Sequence, residues 1–164
     1  MNFLKELFDR FLPTKAHNAQ TTPLSSRNTP QSALAAGARN KVFGAVFDAV
    51  MDGDMDRLRA LIAAGADVNE HVDSLGGETA LMFAAGRYVF PIWVNVLIAA
   101  GADVNATDNR GSTALVGAAS SGNADSVKAL IAAGAVVNAG ALKAAYSQRQ
   151  AHVVKLLKAA GAKE

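Results

Sequence analysis

The nine-residue string Leu-Ile-Ala-Ala-Gly-Ala-Asp-Val-Asn decides the fold of this chain. It stands at residues 61–69 and again at 97–105, and at 130–138 it recurs with Val136 in place of the aspartate. A shortened copy, Leu-Lys-Ala-Ala-Gly-Ala, stands at 157–162. The leading leucines of these copies are 36, 33 and 27 residues apart. A period of about 33 residues indicates a solenoid of stacked helical repeats.

Residues 106–138 show most clearly what one repeat contains. A turn-forming Asp-Asn-Arg-Gly opens the repeat, and residues 113–119 then place their apolar side chains at the spacing of a short helix. A Ser-Gly-Asn break interrupts that helix. A second helix follows, with Asn123 as its predicted N-cap and Gly134 just after its end. Each repeat is therefore predicted to be a turn, a helix, a turn and a second helix.

This unit resembles the ankyrin repeat. The matching residues in the repeat at 106–138 are Asp108, Gly111, Thr113, Leu115, Ala118, Ala119, Gly122, Leu130, Gly134, Ala135, Val137 and Asn138. Those in the preceding repeat are Thr79, Leu81, Ala84, Ala85, Leu97, Gly101, Ala102, Asp103, Val104 and Asn105. The resemblance covers residues 42–162 and implies an all-α ankyrin-repeat solenoid of four helix-turn-helix repeats with short hairpin loops.

The repeats differ from one another in ways that predict their roles. The predicted repeat domain is 40–164, with repeats at about 42–69, 70–105, 106–138 and 139–164. The first repeat lacks the family's Thr-Pro-Leu-His box, and the last has lost six residues of its leading turn, so both are expected to cap the stack. The hairpin loop that opens each repeat is called its finger, and the finger of the last repeat is expected to be nearly absent. The second repeat gains three residues, and the loop between its helices brings in Tyr88, Phe90 and Trp93.

The Thr-Pro-Leu-His box of the family is incomplete in both interior repeats. Ala80 and Ala114 replace its proline, and Met82 and Val116 replace its histidine. The hydrogen bonds of the box are therefore expected to be half absent.

Residues 1–12 are predicted to form an amphipathic helix. Residues 13–39 are predicted to be a flexible linker, since residues 13–32 are rich in Ser, Thr, Asn, Gln and Pro. Three interpretations of the helix stay open: it docks on the first repeat, it binds a membrane or a partner, or it frays in isolation. Its charged residues interrupt any apolar core of a secretory signal. A cytoplasmic location is expected, with secretion through an uncleaved N-terminal signal as the other option.

Charge is distributed unevenly along the chain, whose formal net charge is +2. Residues 1–41 hold six basic and two acidic side chains, residues 42–139 hold five basic and eleven acidic, and residues 140–164 hold five basic and one acidic. Because an acidic middle repels phosphate, nucleic acid is not an expected partner. A basic protein is favoured instead, through electrostatic steering. No apolar stretch of about 18 residues is present, so no integral membrane segment is predicted.

The sequence offers no constellation of catalytic or metal-binding residues. Its three histidines, His17, His71 and His152, are far apart and are expected to be solvated, and there is no cysteine. The stretch 52–56, Asp-Gly-Asp-Met-Asp, resembles half of a calcium loop, but Arg57 stands where that loop needs glycine. It is better interpreted as a polar turn between two helices. No cofactor is expected, and no enzymatic activity is predicted.

In the ankyrin family, the finger tips and the first helices line a concave groove that binds proteins. The resemblance implies binding positions beside each turn glycine and at the end of each first helix. Large side chains near that groove are added because interface anchors are enriched in Trp, Tyr, Arg and Met. Trp93 has a second interpretation, the packing of its lengthened loop onto the neighbouring repeat. The candidate partner-binding residues are Leu75, Glu78, Met82, Arg87, Tyr88, Trp93, Asn109, Arg110, Ser112, Ser120, Ser121, Ser147 and Gln148.

The expected function is a non-catalytic protein–protein interaction module. It binds one partner through the groove as an inhibitor, an immunity-type protein or an adaptor, and it is monomeric when free. The alternative is a translocated bacterial effector whose polar N-terminus serves as a secretion address and whose repeats bind a host protein. If the partner is basic, charge reversal at Glu78 and Asp108 is expected to slow association at low salt.

Overall fold

The computed structural model describes residues 44–87 and 91–162. Within them the helices come in consecutive pairs: α1 Ala45–Met51 and α2 Met55–Ala63, α3 Ala80–Arg87 and α4 Ile92–Ala99, α5 Ala114–Ser121 and α6 Ala124–Ala132, α7 Ala139–Ser147 and α8 Ala151–Ala159. A short 3-10 turn at Asp73–Leu75 precedes α3. These pairs confirm the predicted all-α repeat architecture. The predicted helix at 1–12 and linker at 13–39 lie outside the described residues.

The first helices of successive repeats pack on one another, α1 on α3, α3 on α5 and α5 on α7. The second helices form a parallel row in which α4 packs on α6 and α6 on α8. Close packing of the first row is achieved with very small side chains. A Cβ added to Gly117 would lie only 3.6 Å from the Cα of Gly86, so the backbones of α3 and α5 nearly touch. The abundance of alanine in the sequence has the same cause, since Ala84, Ala85 and Ala118 are fully buried.

Larger apolar side chains fill the space between the two helices of each repeat. They are buried, with a leucine from each helix in most repeats: Phe47, Leu58, Leu81, Leu97, Leu115, Leu130, Leu142 and Leu157. Burial of each such side chain contributes roughly 1.5–3 kcal/mol. A single continuous core therefore runs through all four repeats.

Polar side chains cap two of the second helices, α2 and α6. The Oδ1 of Asn123 accepts the backbone N–H of Ser126 at 3.1 Å, which confirms Asn123 as the N-cap of α6. Asp54 caps α2 in the same way, so the stretch that resembles a calcium loop is a polar turn. Asn138 caps α7 directly. The fourth repeat therefore has no hairpin finger, as its missing six residues predict.

The asparagine that closes each of the first two copies of the string joins one repeat to the next. The Nδ2 of Asn69 donates to the Gly101 carbonyl at 3.2 Å, and its Oδ1 accepts the N–H of Asp103 at 2.7 Å. Asn105 makes the same pair of bonds to the third copy of the string, at 3.1 and 2.8 Å. These bonds fix the spacing between successive repeats and hold their fingers in register.

Candidate functional site

A groove of about 300 Å³ lies between the fingers and the first helices of the second and third repeats. It is called the central groove below. Its lining residues are Glu78, Met82, Gly86, Arg87, Asp108, Arg110, Ser112, Thr113, Val116, Gly117, Ser120, Ser121 and Ala144. The structure brings together in it seven of the candidate partner-binding residues: Glu78, Met82, Arg87, Arg110, Ser112, Ser120 and Ser121.

The floor of the central groove is low because its residues are small. Gly86 and Gly117 meet where α3 packs on α5, and the atoms nearest to a Cβ at either position would be backbone atoms of the other helix. The Ser121 hydroxyl donates to the Gly86 carbonyl and so ties the two helices together. Buried Met82 supplies an apolar patch beside the glycines. A partner segment can therefore approach the helix backbones closely.

Asp108 holds one finger of the groove in shape. Its Oδ1 accepts the backbone N–H groups of Arg110 at 2.9 Å and Ser112 at 2.8 Å. Its side chain is only 8% exposed, whereas that of Arg110 is 85% exposed. Burial alone raises the pKa of Asp108, but the two backbone hydrogen bonds and the Arg110 guanidinium outweigh it and hold the pKa below the ordinary value. Asp108 is therefore a turn residue, and reversing its charge would disrupt the finger as well as the surface.

Glu78 is the other carboxylate of the groove, and its pKa is shifted upward, in the opposite direction to that of Asp108. Desolvation by partial burial raises its pKa, Arg87 and Arg110 oppose that effect, and Asp108 adds to it. The groove thus contains two carboxylates and two guanidinium groups. The acidic surplus of the repeats lies outside the groove, on surfaces such as the turn between α1 and α2 with Asp52.

Arg87 is placed at the edge of the groove by an aromatic pair. Its guanidinium lies over the ring of Phe83 at 5.1 Å from the ring centroid. Phe83 in turn packs edge-on against buried Phe47, with the ring centroids 5.1 Å apart. A cation held over an aromatic face has a restricted position, which favours its use in recognition.

The remaining described candidates on fingers and helix ends lie outside the groove lining. Leu75 is exposed on the 3-10 turn at a finger tip. Asn109 is exposed on the next finger, and its N–H donates to the Gly76 carbonyl at 2.9 Å, which links the two fingers. Ser147 and Gln148 are exposed at the end of α7. They lie on surfaces that a partner larger than the groove would also cover.

Trp93 lies on α4, where it packs half-buried against the hydrophobic core. It does not line the central groove, which favours the packing interpretation of this residue. Tyr88 and Phe90 lie outside the described residues.

Gly86 lines the groove at a position that the family resemblance also implies, the end of the first helix of the second repeat. Five further groove residues were missed by the prediction: Asp108, Thr113, Val116, Gly117 and Ala144. A glycine inside a predicted helix was the available signal for Gly117. The buried Oγ1 of Thr113 has no hydrogen-bond partner. In the other interior repeat, the Oγ1 of Thr79 accepts the N–H of Met82 at 3.3 Å.

Two histidines contribute hydrogen bonds to backbone. The Nδ1 of His71 donates to the Gly77 carbonyl, and the Nε2 of His152 donates to the Gly122 carbonyl of the preceding repeat, each at 2.9 Å. Within residues 44–87 and 91–162, no cluster of three His, Asp or Glu side chains has a metal-binding arrangement. In the same described part of the chain, no helix is long and apolar enough to cross a membrane.

Comparison with known proteins agrees with this geometry. A family model described as ankyrin repeats, in three copies, matches residues 46–141 and 94–163. No curated protein matches the sequence closely enough to count as a relative.

Proposed function

Because the chain belongs to the ankyrin repeat family, whose members are protein–protein interaction modules, we propose that it binds one protein partner in the central groove and acts without catalysis. The observation that carries this proposal is the convergence of seven candidate binding residues from two repeats on one groove. Binding there blocks or positions the partner, which is how an inhibitor, an immunity-type protein or an adaptor works.

The chemistry of the central groove suits a folded or extended protein segment. Its floor is small and partly apolar, and its sides carry the hydroxyls of Ser112 and Ser120 together with charges of both signs. Protein interfaces combine an apolar centre with a polar rim in this way. The floor lies on helices that pack into one core, so little conformational entropy is lost when a partner binds.

A basic partner is favoured by the charge around the groove. Residues 42–105 carry nine acidic and three basic side chains, and such a field attracts cationic proteins over long distances. Inside the groove, Glu78 is the carboxylate available for direct contact, since Asp108 is bonded to its own loop.

Electrostatic steering is tested by measuring the rate at which the protein associates with its partner, once that partner is identified. Reversal of Glu78 and exposed Asp73 to lysine is expected to slow association at low salt, and the difference is expected to fade at high salt. Asp108 is left unchanged because it supports its finger. An association rate that stays the same at low salt would contradict a basic partner.

The partner itself is sought by affinity capture from a native lysate of the source cells. Three baits are compared: the wild type, Ser120→Arg in the groove and Ala132→Arg, which places the same bulk and charge at an exposed position of α6. We expect a protein that is captured by the wild type and by Ala132→Arg but not by Ser120→Arg. Equal capture by all three baits would place binding elsewhere on the chain.

A further inference from the structure

The described part of the fourth repeat, residues 139–162, carries charge of a single sign. Residues 139–162 contain four basic side chains, Lys143, Arg149, Lys155 and Lys158, and no acidic residue. All four are exposed. This repeat therefore contrasts with the first two, in which acidic side chains outnumber basic ones by three to one.

An exposed aromatic ring, that of Tyr146, lies close to lysines of this repeat. Lys143 and Tyr146 are three residues apart on α7, and Lys155 and Lys158 are three apart on α8, so each pair shares one side of its helix. The Nζ of Lys158 lies 5.5 Å from the centroid of the Tyr146 ring, which brings the two sides together. Tyr146 is 48% exposed. The exposed residues Lys143, Tyr146, Lys155 and Lys158, together with exposed Arg149 in the turn between the two helices, are called the fourth-repeat face.

Arg149 has a left-handed backbone conformation, which residues with a side chain rarely adopt. It has a φ of 56°, whereas Gly53 and Gly122 occupy the same position in the turns of the first and third repeats, with φ of 71° and 74°. A left-handed conformation costs a residue with a side chain roughly 1 kcal/mol relative to glycine. Glycine at this position would be more stable, so the arginine side chain points to a use beyond folding.

We propose that the fourth-repeat face binds a short acidic segment of a partner protein, at a second site separate from the central groove. Its lysines and arginine supply charge-assisted hydrogen bonds to Asp and Glu carboxylates, and the Tyr146 ring supplies apolar contact. The four basic side chains are complementary in charge to such a segment.

The size of the face favours a short segment over a larger polyanion. Helices α7 and α8 have nine residues each, so they extend for about 13 Å. A duplex nucleic acid or an anionic bilayer reaches well beyond that length and would meet the acidic surfaces of the first two repeats. A run of a few Glu or Asp residues stays within the basic area.

The proposal is tested by fluorescence anisotropy of a labelled ten-residue glutamate peptide at low salt with the full chain. The double variant Lys143→Ala with Lys158→Ala is expected to weaken binding by about tenfold, at roughly 0.7 kcal/mol for each lost contact. Arg149→Gly is expected to weaken binding by about threefold while raising the thermal midpoint, so that unfolding cannot account for the loss. The matched control, Lys5→Ala with Lys15→Ala, removes two basic residues from the N-terminal segment.

The proposal is supported if the control variant binds the glutamate peptide as the wild type does and the double variant Lys143→Ala with Lys158→Ala binds it more weakly. Unchanged binding by the double variant, or loss in the control alone, would overturn it. Tighter binding of phosphatidylserine vesicles or of duplex DNA than of the peptide would overturn the assignment of an acidic protein segment. If Arg149→Gly binds like the wild type, Arg149 has no part in the site.

Discussion

Single residues of the recurring string act by hydrogen bonding along the stack. Asp67 and Asp103 each accept the N–H of the asparagine two residues later, at 2.8 and 2.9 Å, and so hold that asparagine where its amide reaches the next repeat. In the third copy, Val136 is 63% exposed and has no carboxylate, and Asn138 caps its own helix instead. The string recurs visibly in the sequence, but its bonding partners lie about 30 residues away and local patterns do not reveal them.

Removal of one inter-repeat amide tests this bonding. Asn105→Ala is expected to lower the free energy of unfolding by about 1–2 kcal/mol, because two hydrogen bonds to the third copy of the string are lost. Thr107→Ala, an exposed change in the same loop, serves as the control and is expected to stay within about 0.5 kcal/mol of wild type. Chemical denaturation measures both. Equal stabilities of the two variants would contradict a structural role for Asn105.

The finger held by Asp108 gives a pH-dependent prediction. Because folding lowers the pKa of this carboxyl, its ionised form stabilises the protein above the ordinary value of 3.8, and that contribution is lost as pH falls through the lowered pKa. Asp108→Asn is expected to be less stable than wild type by about 1 kcal/mol at pH 7. The difference is expected to shrink below about pH 4, measured by denaturation at several pH values. A difference that is constant across this range would show that the charge of Asp108 contributes nothing.

At the scale of helices, two serines on neighbouring helices have opposite roles. Ser126 of α6 is fully buried, and its Oγ has no hydrogen-bond partner, although its N–H is bonded to the cap. Ser121 of α5 uses its Oγ to bridge to the Gly86 carbonyl of α3. A buried hydroxyl without a partner is costly, whereas a bridging one joins two helices.

Alanine substitutions are therefore expected to change stability in opposite directions. Ser126→Ala is expected to raise the free energy of unfolding by about 1 kcal/mol, since the unsatisfied hydroxyl is removed. Ser121→Ala is expected to lower it by about 1 kcal/mol through loss of the bridge. Thermal and urea unfolding of the two variants measure the effects. Destabilisation by both substitutions would mean that Ser126 has a partner in solution.

Helix positions were predictable from sequence because their signals are local. The cap at Asn123 and the missing finger before α7 depend on residues within a few positions, and both predictions are confirmed. The turn at Asp108 is local as well, since its carboxylate bonds residues two and four positions later. The partial burial of Trp93 depends on how distant segments pack, so its two interpretations stayed open at the level of sequence. Six of the seven predicted groove residues followed from the rule that equivalent positions of a repeat occupy equivalent places in the stack, and Met82 followed from the enrichment of methionine among interface anchors. The glycine floor was not predicted, since its form depends on the distance between two helices.

At the scale of the whole molecule, the stack separates its surfaces by charge and shape. The first two repeats are acidic, the central groove is balanced and the fourth repeat is basic. Small residues along the first helices set the depth of the groove, because α3 and α5 meet at Gly86 and Gly117. Packing and binding therefore depend on the same glycines, and a single methyl group can affect them differently.

The most direct test of the central groove is the dissociation constant of the captured partner, measured by isothermal titration for the wild type and for Gly117→Ala. The added methyl group fits at ordinary contact distance from Gly86, and alanine favours a helix by about 1 kcal/mol, so the variant is expected to be more stable. The same methyl group raises the groove floor, and we expect binding to weaken by about fivefold to tenfold. A variant that is more stable and binds its partner as tightly as the wild type would contradict binding in the central groove.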